Sequence, residues 1–506
     1  MIKLSKLVLA GMLFATVQGA NANIVQQKEI KVKDVVEKKS SIKDSVVKIF
    51  TVANEADFSE PWASHIQKFS GSGCIISEQR ILTNAHVVSE STFIEVLKNG
   101  GVKRYEAEVL SIDHEADLAL ITIKDKSFFD NTKSLEIGGL PELQKKINVY
   151  GFPMGGETLS VTEGVVSRIE HQSYVHSGTP LLAIQIDAAI NYGNSGGPAI
   201  SDGKIAGLVM QGRDSAENMG YIIPPSVINH YLEDMEDGHY NGYPFLGMRS
   251  QSIESPVMKE MYGLKGQEYG MLINKTIPNS PVDGLLKTGD ILTSIDNYKV
   301  FSNQKVEFRS KEYTDFRYAL NQHQIGDTIE LTILRDGKEQ KLSATLNKKS
   351  NDLSLVKQKK PESRPRYFIY GGLVFVPGIM EHYYKIPSKF YTQYPDENRE
   401  ELVLLKRVLS SSLTKGYNGS AIDVIEQVNG KKFKNFKEFV ALLESSTDKF
   451  IVLEDENHAQ MVLDREEVLA KQQGILKKYN IKSSKSDDLK EPVGKRIAFN
   501  KKCGGY

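Results

Sequence analysis

The sequence predicts a mostly β protein: an all-β unit of the sandwich or barrel kind, then two smaller α+β modules. Three observations lead there. A chain of 506 residues is too long for one hydrophobic core and suggests three or four domains. From about residue 40 to 225, short alternating or apolar runs follow one another with no long helical stretch between them, the pattern of antiparallel sandwiches and barrels. Beyond that a strand–helix pattern occurs twice, "SAIDVIEQVNGKKF" echoing "GDILTSIDNYKVF", as two copies of one module would.

The first 22 residues read as a secretory signal. Lys3 and Lys6 give a basic start, Leu7 to Val17 is an apolar run, and Ala20-Asn21-Ala22 supplies the small-x-small cleavage pattern. That run is about half the length a membrane-spanning helix needs, so the expectation is a mature chain from Asn23, exported to the periplasm or secreted, without a transmembrane anchor. Lys+Arg and Asp+Glu stand at 64 each, so no charge excess points to nucleic acid. Export permits disulfides, but Cys74 sits in a strand-like run and Cys503 in the polar tail. The default for Cys74 is a small buried thiol, and stability has to come from cores.

Taken in order, residues 23–242 hold the all-β unit, whose strands include "SVVKIFTV", "LALITI", "LSVTEGVVSRI" and "KIAGLVMQG". A helix over "INHYLEDMEDGHY" closes it. Residues 243–347 form the first α+β module, with a helix expected over "YTDFRYALNQH". The polar, charged stretch 348–365 reads as a linker. Residues 366–465 form the second module, and 466–506 a helix followed by a polar, Lys-rich tail.

The chemistry concentrates in "AINYGNSGGPAI", where Gly193, Gly196 and Gly197 surround Ser195. So many glycines imply backbone angles, or a closeness of approach, that side chains forbid. The stretch also fits G-x-S-x-G, the nucleophile elbow of α/β-hydrolases, but that fold needs a parallel sheet before the serine, with the acid and histidine after it. Here strand follows strand upstream. Instead, "TNAHVV" places His86 after an apolar strand and "DLAL" places Asp117 at the mouth of another. Histidine, acid and serine in that order are the parts of a charge-stabilised nucleophile. A base takes the hydroxyl proton, a carboxylate holds the base, and the Gly193 and Ser195 N–H groups meet the oxyanion. Asp113, His114, Glu115 and Asp117 read as a solvated turn rather than a metal site, since no second ligand cluster accompanies them.

"TNAHVV", "DLAL" and "GNSGGP" together resemble the HtrA/Deg family of secreted serine proteases. The resemblance implies a chymotrypsin-like double β-barrel followed by two PDZ-type domains, and an ATP-independent endopeptidase without a cofactor. Catalytic roles fall on His86, Asp117 and Ser195, and the oxyanion hole on Gly193, Asn194 and Ser195. Asn194 is neutral, so the ion pair that activates trypsin-type zymogens cannot form. Ala189 and Ile190 would floor the primary pocket opposite Leu208, Val209 and Met210, favouring small or medium aliphatic residues, with the substrate adding as a strand to "GLVMQ".

"NGYPFLGMRSQ" resembles the start of a peptide-binding PDZ domain, with Phe245, Leu246, Gly247 and Met248 as the loop receiving a C-terminal carboxylate. Tyr370-Gly371-Gly372-Leu373 is a poor match to such a loop. "RYFIYGGLVFVP" and "GILKKYNI" are similar to the C-terminal half of plant organellar Deg proteases. The implied partners are unfolded proteins and peptide C-termini. The implied assembly is a homo-oligomer of trimers, with Phe50, Phe58 and Trp62 as contacts. A holdase chaperone with secondary proteolysis is the reading from another class.

Overall fold

In a computed structural model of the chain, residues 41–490 are described, except 155, 213–219 and 418–421. The segment expected as a secretory signal, Cys503 and the end of the tail lie outside the described residues.

The all-β unit is two closed six-stranded barrels. The first comprises β1 (Val46–Ala56), β2 (Ser64–Ile76), β3 (Arg80–Thr83), β4 (Ser91–Lys98), β5 (Arg104–Asp113) and β6 (Leu118–Ile123). They close in the order β1-β2-β3-β6-β5-β4, with the short α1 (Ala85–Val88) after β3. The second comprises β7 (Lys146–Gly151), β8 (Ser160–Ser173), β9 (Pro180–Ile186), β10 (Pro198–Ser201), β11 (Lys204–Gly212) and β12 (Gly220–Ile223). Its order is β10-β11-β12-β9-β8-β7, and α2 (Pro225–Asp234) closes the unit. Closure removes the edges that alternating strands would otherwise expose. β6, "LALITI", is buried along its whole length, which is why it reads as a continuous apolar run. Cys74 is fully buried against the second core, and burial pushes its thiol up to about 12, so it acts as a small hydrophobe.

The first α+β module contains β13 (Met248–Ser252), α3 (Pro256–Met261), β14 (Met271–Thr276), β15 (Ile291–Ile295) and β16 (Tyr298–Lys299). The hairpin of β17 (Lys305–Arg309) and β18 (Glu312–Asp315), then α4 (Arg317–Leu320), β19 (Thr328–Arg335) and β20 (Lys338–Thr345), complete it. The helix expected over "YTDFRYALNQH" is reduced to α4. Tyr313, Thr314 and Asp315 pair with β17 instead, because aromatic and β-branched residues suit a hairpin better than a helix start.

The second domain contains β21 (Phe368–Tyr370), β22 (Leu373–Pro377), β23 (Val403–Val408), β24 (Val424–Ile425) and β25 (Gln427–Val428). It ends with α5 (Phe436–Ser445), β26 (Phe450–Glu454), β27 (Gln460–Asp464) and α6 (Arg465–Lys478). The stretch expected as a linker is not free of the fold: Leu355 and Val356 are buried in the second domain's core. Nor does α6 stand apart, since Val468, Ile475 and Leu476 pack into the same domain.

The domains rest on one another. Thr314 of β18 takes the His171 N–H of β8 at 3.1 Å, and His230 of α2 meets the His323 carbonyl at 3.0 Å. On the other side Trp62 packs edge-on to Tyr367, Phe58 meets His382, and Glu60 pairs with Arg407 at 2.8 Å. Phe58 and Trp62, expected as contacts between subunits, therefore contact the second domain of their own chain. Phe50 lies under the Arg104 guanidinium.

Candidate active site

The first barrel carries the imidazole and the carboxylate. β3 ends at Thr83, and α1 starts at once, so His86 leaves the barrel end in a fixed direction. Asp117 stands just before β6 with φ +56, uncommon for any residue with a side chain and least costly for Asn or Asp. Three hydrogen bonds hold it there. Its Oδ1 accepts the His86 backbone N–H at 3.0 Å, its Oδ2 lies 2.8 Å from His86 Nδ1, and its carbonyl accepts the Asn84 amide at 2.8 Å. Asp117 is buried, while the His86 side chain stays 26% exposed, open to a substrate.

The second barrel delivers the hydroxyl. Ser195 precedes β10, and its carbonyl accepts the Ser72 N–H of β2 at 2.9 Å. Gly196 has φ +80, and a Cβ there would stand 2.2 Å from the Ser72 carbonyl and 2.3 Å from Thr83 Oγ1. Gly193 has φ +95, and its Cβ would meet the Phe152 carbonyl at 2.5 Å. Only glycine lets this turn press against β2, α1's approach and the 152–154 segment together. Ser72 seals the contact: its hydroxyl donates to the Gly193 carbonyl at 2.7 Å and accepts the Phe152 N–H at 2.8 Å.

The Ser195 hydroxyl donates to the Met210 carbonyl of β11 at 3.3 Å and makes no hydrogen bond to His86. Among the described residues, the backbone N–H groups of Gly193 and Ser195 meet no protein acceptor. Asn194, expected with them in the oxyanion hole, is a correction: its N–H is spent on the Asn191 carbonyl at 3.0 Å, within the turn itself. Its side chain is buried against Gly151 with Oδ1 unpartnered. A carboxylate in that place would be a buried charge without a partner.

The family descriptions match the domains in order: "Trypsin-like peptidase domain" over residues 71–208 and "PDZ domain" over 244–346 and again over 356–488. Protease Do-like 2, chloroplastic, from Arabidopsis thaliana is 37% identical over 467 residues, covering 90% of this chain and 76% of that protein. The chain belongs to the HtrA/Deg family. Protease Do-like 4, mitochondrial, from the same plant is also 37% identical, over 83% of this chain and 80% of that one. A solved structure of an HtrA-type protease, AlgW with a decapeptide, has a TM-score of 0.47 at 24% identity, over 60% of this chain and 95% of its own. As an HtrA/Deg member with a trypsin-like domain, the protein is a serine endopeptidase.

In this HtrA/Deg chain one residue near the His86 imidazole has no signal in the sequence. His176, in the loop between β8 and β9, stacks on His86 with ring centroids 4.2 Å apart and planes 20° from parallel. Partial burial pulls its pKa down, and the neighbouring Asp117 carboxylate only partly offsets this. Ligand atoms of His86, Asp117 and His176 lie within 4.8 Å of one another. Stacked rings aim their lone pairs along parallel planes, however, and Asp117 already holds His86, so as they stand these residues do not form a tetrahedral metal centre.

Near the expected pocket, Leu208, Val209 and Met210 are buried in β11, Ala189 is exposed, and Ile190 lies against Gly220. In the first PDZ domain Leu246 is buried in the core, and Phe245 donates its N–H to the Lys348 carbonyl. The Leu246 and Gly247 N–H groups meet no acceptor among the described residues, while Met248 begins β13. The corresponding loop of the second domain is closed. The Gly371 N–H donates to Gln472 of α6 at 2.8 Å, and Gly371 and Gly372 form the β21–β22 turn. No helix among the described residues is long and apolar enough to cross a membrane.

Proposed function

We propose that this endopeptidase degrades unfolded or damaged exported proteins without ATP, using Ser195 as nucleophile, His86 as general base and Asp117 as the orienting carboxylate. The observation that carries this is the His86–Asp117 pair at 2.8 Å, with the Ser195 turn packed onto the same barrel end and two N–H groups without acceptors among the described residues. Nδ1 of His86 donates to Asp117, which leaves Nε2 as the basic nitrogen. A serine hydroxyl is a weak nucleophile near neutral pH, and His86 takes its proton as it attacks.

In the resting arrangement that proton is engaged by the Met210 carbonyl, so a χ1 rotation comes before attack. Met210 lies at a register shift on β11, between Val209 and Gln211. An extended substrate adding beside β11 offers its own N–H to that carbonyl and releases the hydroxyl toward His86. The oxyanion then accepts from Gly193 and Ser195, where one lost donor costs about 3 kcal/mol of transition-state stabilisation. The imidazolium, stabilised by Asp117, returns the proton to the leaving amine. The uncharged surroundings of Ala189, Ile190 and Leu208–Met210 favour small or medium aliphatic side chains.

The free N–H groups of Leu246 and Gly247 support capture of peptide C-termini at the first PDZ domain. The closed Gly371 loop gives the second domain another role. Assembly in trimers or their multiples, and export through the basic–apolar N-terminal segment to the periplasm or beyond, complete the proposal. The two relatives instead carry chloroplastic and mitochondrial names. A primary holdase role is not favoured, because the relatives are named as proteases.

One experiment tests the whole. Casein degradation is measured with and without a hydrophobic peptide bearing a free C-terminal carboxylate, for the wild type and Ser195→Ala. The proposal expects degradation stimulated by the peptide, and a loss of at least about a thousandfold in Ser195→Ala. A Ser195→Ala protein that still cut casein would overturn the assignment of the nucleophile.

A further inference from the structure

The N-terminal stretch of the second PDZ domain reaches back to the first barrel. Glu362 is its point of attachment. One carboxylate oxygen accepts the Ser89 hydroxyl at 2.7 Å, and the other accepts the Glu90 backbone N–H at 2.8 Å. His114 Nε2 lies 3.2 Å from the first oxygen, within ion-pair range though off the line of a good hydrogen bond. Burial pushes the Glu362 carboxyl up, but the contacts from His114, Ser89 and Glu90 outweigh it and leave it below its ordinary value.

The place of these partners in the chain gives the contact its meaning. Ser89 and Glu90 directly follow α1, which carries His86. His114 lies in the turn between β5 and β6, just ahead of Asp117. One carboxylate therefore spans the two segments that hold the imidazole and its acidic partner, from a position more than 270 residues along the chain from Ser89. Glu362 has φ +56, uncommon for a residue with a side chain. Lys359 beside it lies 3.8 Å from Glu90 and 5.5 Å from the Phe58 ring centre. The attachment is thus continuous with the Trp62–Tyr367 and Glu60–Arg407 contacts of the second domain.

We infer that Glu362 is a positioning residue for peptide hydrolysis: it clamps the segment after His86 to the turn before Asp117, and so ties the seating of the second domain to the geometry of the reacting imidazole. This rests on the assignment of His86, Asp117 and Ser195 above. Whatever lifts the second domain from the first barrel releases the clamp and slows the chemical step without touching the substrate pocket.

The test uses the full chain, with steady-state cleavage of a fluorogenic peptide and the rate of fluorophosphonate labelling. Glu362→Ala is expected to lower kcat three- to tenfold with KM within twofold of wild type, and to slow labelling in parallel. Glu362→Gln, whose one amide oxygen still accepts the Glu90 N–H while its NH2 donates to the Ser89 hydroxyl, is expected to recover at least half of that loss. Ser363→Ala, whose hydroxyl among the described residues meets only the Lys360 carbonyl, is expected to match the wild type. A Glu362→Ala protein with kcat within twofold of wild type, or a Glu362→Gln protein no better than Glu362→Ala, overturns the inference. Should Glu362→Ala fail to fold, Ser89→Ala carries the test: at least a twofold loss of kcat at unchanged KM supports the clamp, and wild-type kcat overturns it. Cleavage surviving in Ser195→Ala would instead sink the underlying assignment, so the two failures are distinguishable.

Discussion

At the scale of single residues, the imidazole is held on two sides. Asp117 takes its Nδ1 edge and His176 covers a face, leaving Nε2 free to work. A stacked ring pair contributes about 0.5–1.5 kcal/mol beyond its area, which corresponds to roughly two- to tenfold in a rate that depends on ring orientation. His176→Ala should therefore lower kcat by that factor with little change in KM, and His176→Phe, which can still stack, should recover most of it. Steady-state kinetics of the two variants decide this. If phenylalanine rescues no better than alanine, face-on contact is not what steadies His86. His86, Asp117 and Ser195 were legible because each stands in a short motif set by local chemistry. His176 was not, since "SYVHSGT" is an ordinary polar turn and its ring meets His86 only through the fold.

At the scale of elements, the β5–β6 turn carries a cost of its own. Asp113 ends β5 fully buried, accepting the Glu115 and Ala116 N–H groups and the Tyr240 hydroxyl. Burial outweighs these bonds and pushes its carboxyl up to about 7. An acid raised in the folded state holds its proton between about pH 4 and 7, where the unfolded chain has lost it. The fold then binds more protons, and stability falls as pH rises through that window. Asp113→Asn should remove this slope and gain on the order of 1–3 kcal/mol over wild type at pH 8, with little difference at pH 4. Urea midpoints at the two pH values measure it, and an equal shift at both would mean that the carboxyl's titration plays no part. The sequence marked this stretch as a solvated turn. The burial that contradicts this for Asp113 comes from Tyr240, far along the chain, closing over it.

At the scale of the whole molecule, the domains are joined by contacts that titrate the other way. His171 lies where β8 meets the first PDZ domain, near Asp315 and Arg317. Burial, little offset by Asp315, lowers its pKa to about 4. A histidine lowered in the docked state is neutral between about pH 4 and 6.5, where the undocked form is charged. Undocking therefore takes up a proton, and docking weakens as pH falls through that window. Small-angle scattering at pH 7.5 and 5 should show the wild type extending at the lower pH, while His171→Phe changes less. Equal extension of both would place the titration elsewhere. The packing of Phe58 and Trp62 onto the second domain belongs to this scale too, since aromatic residues in a loop do not say which surface they will meet.

What the amino-acid sequence determined by itself was local: strand period, turn chemistry, the glycine-bracketed serine, and the order of the three motifs. These follow from a few neighbouring residues, so they survive without knowledge of the rest. The tertiary structure alone decided that the Ser195 hydroxyl rests on the Met210 carbonyl, that Asn194 turns its N–H inward, that Gln472 closes the Gly371 loop and that Glu362 reaches Ser89. Each joins groups distant in sequence whose meeting depends on how whole domains pack, and no periodicity or motif encodes that.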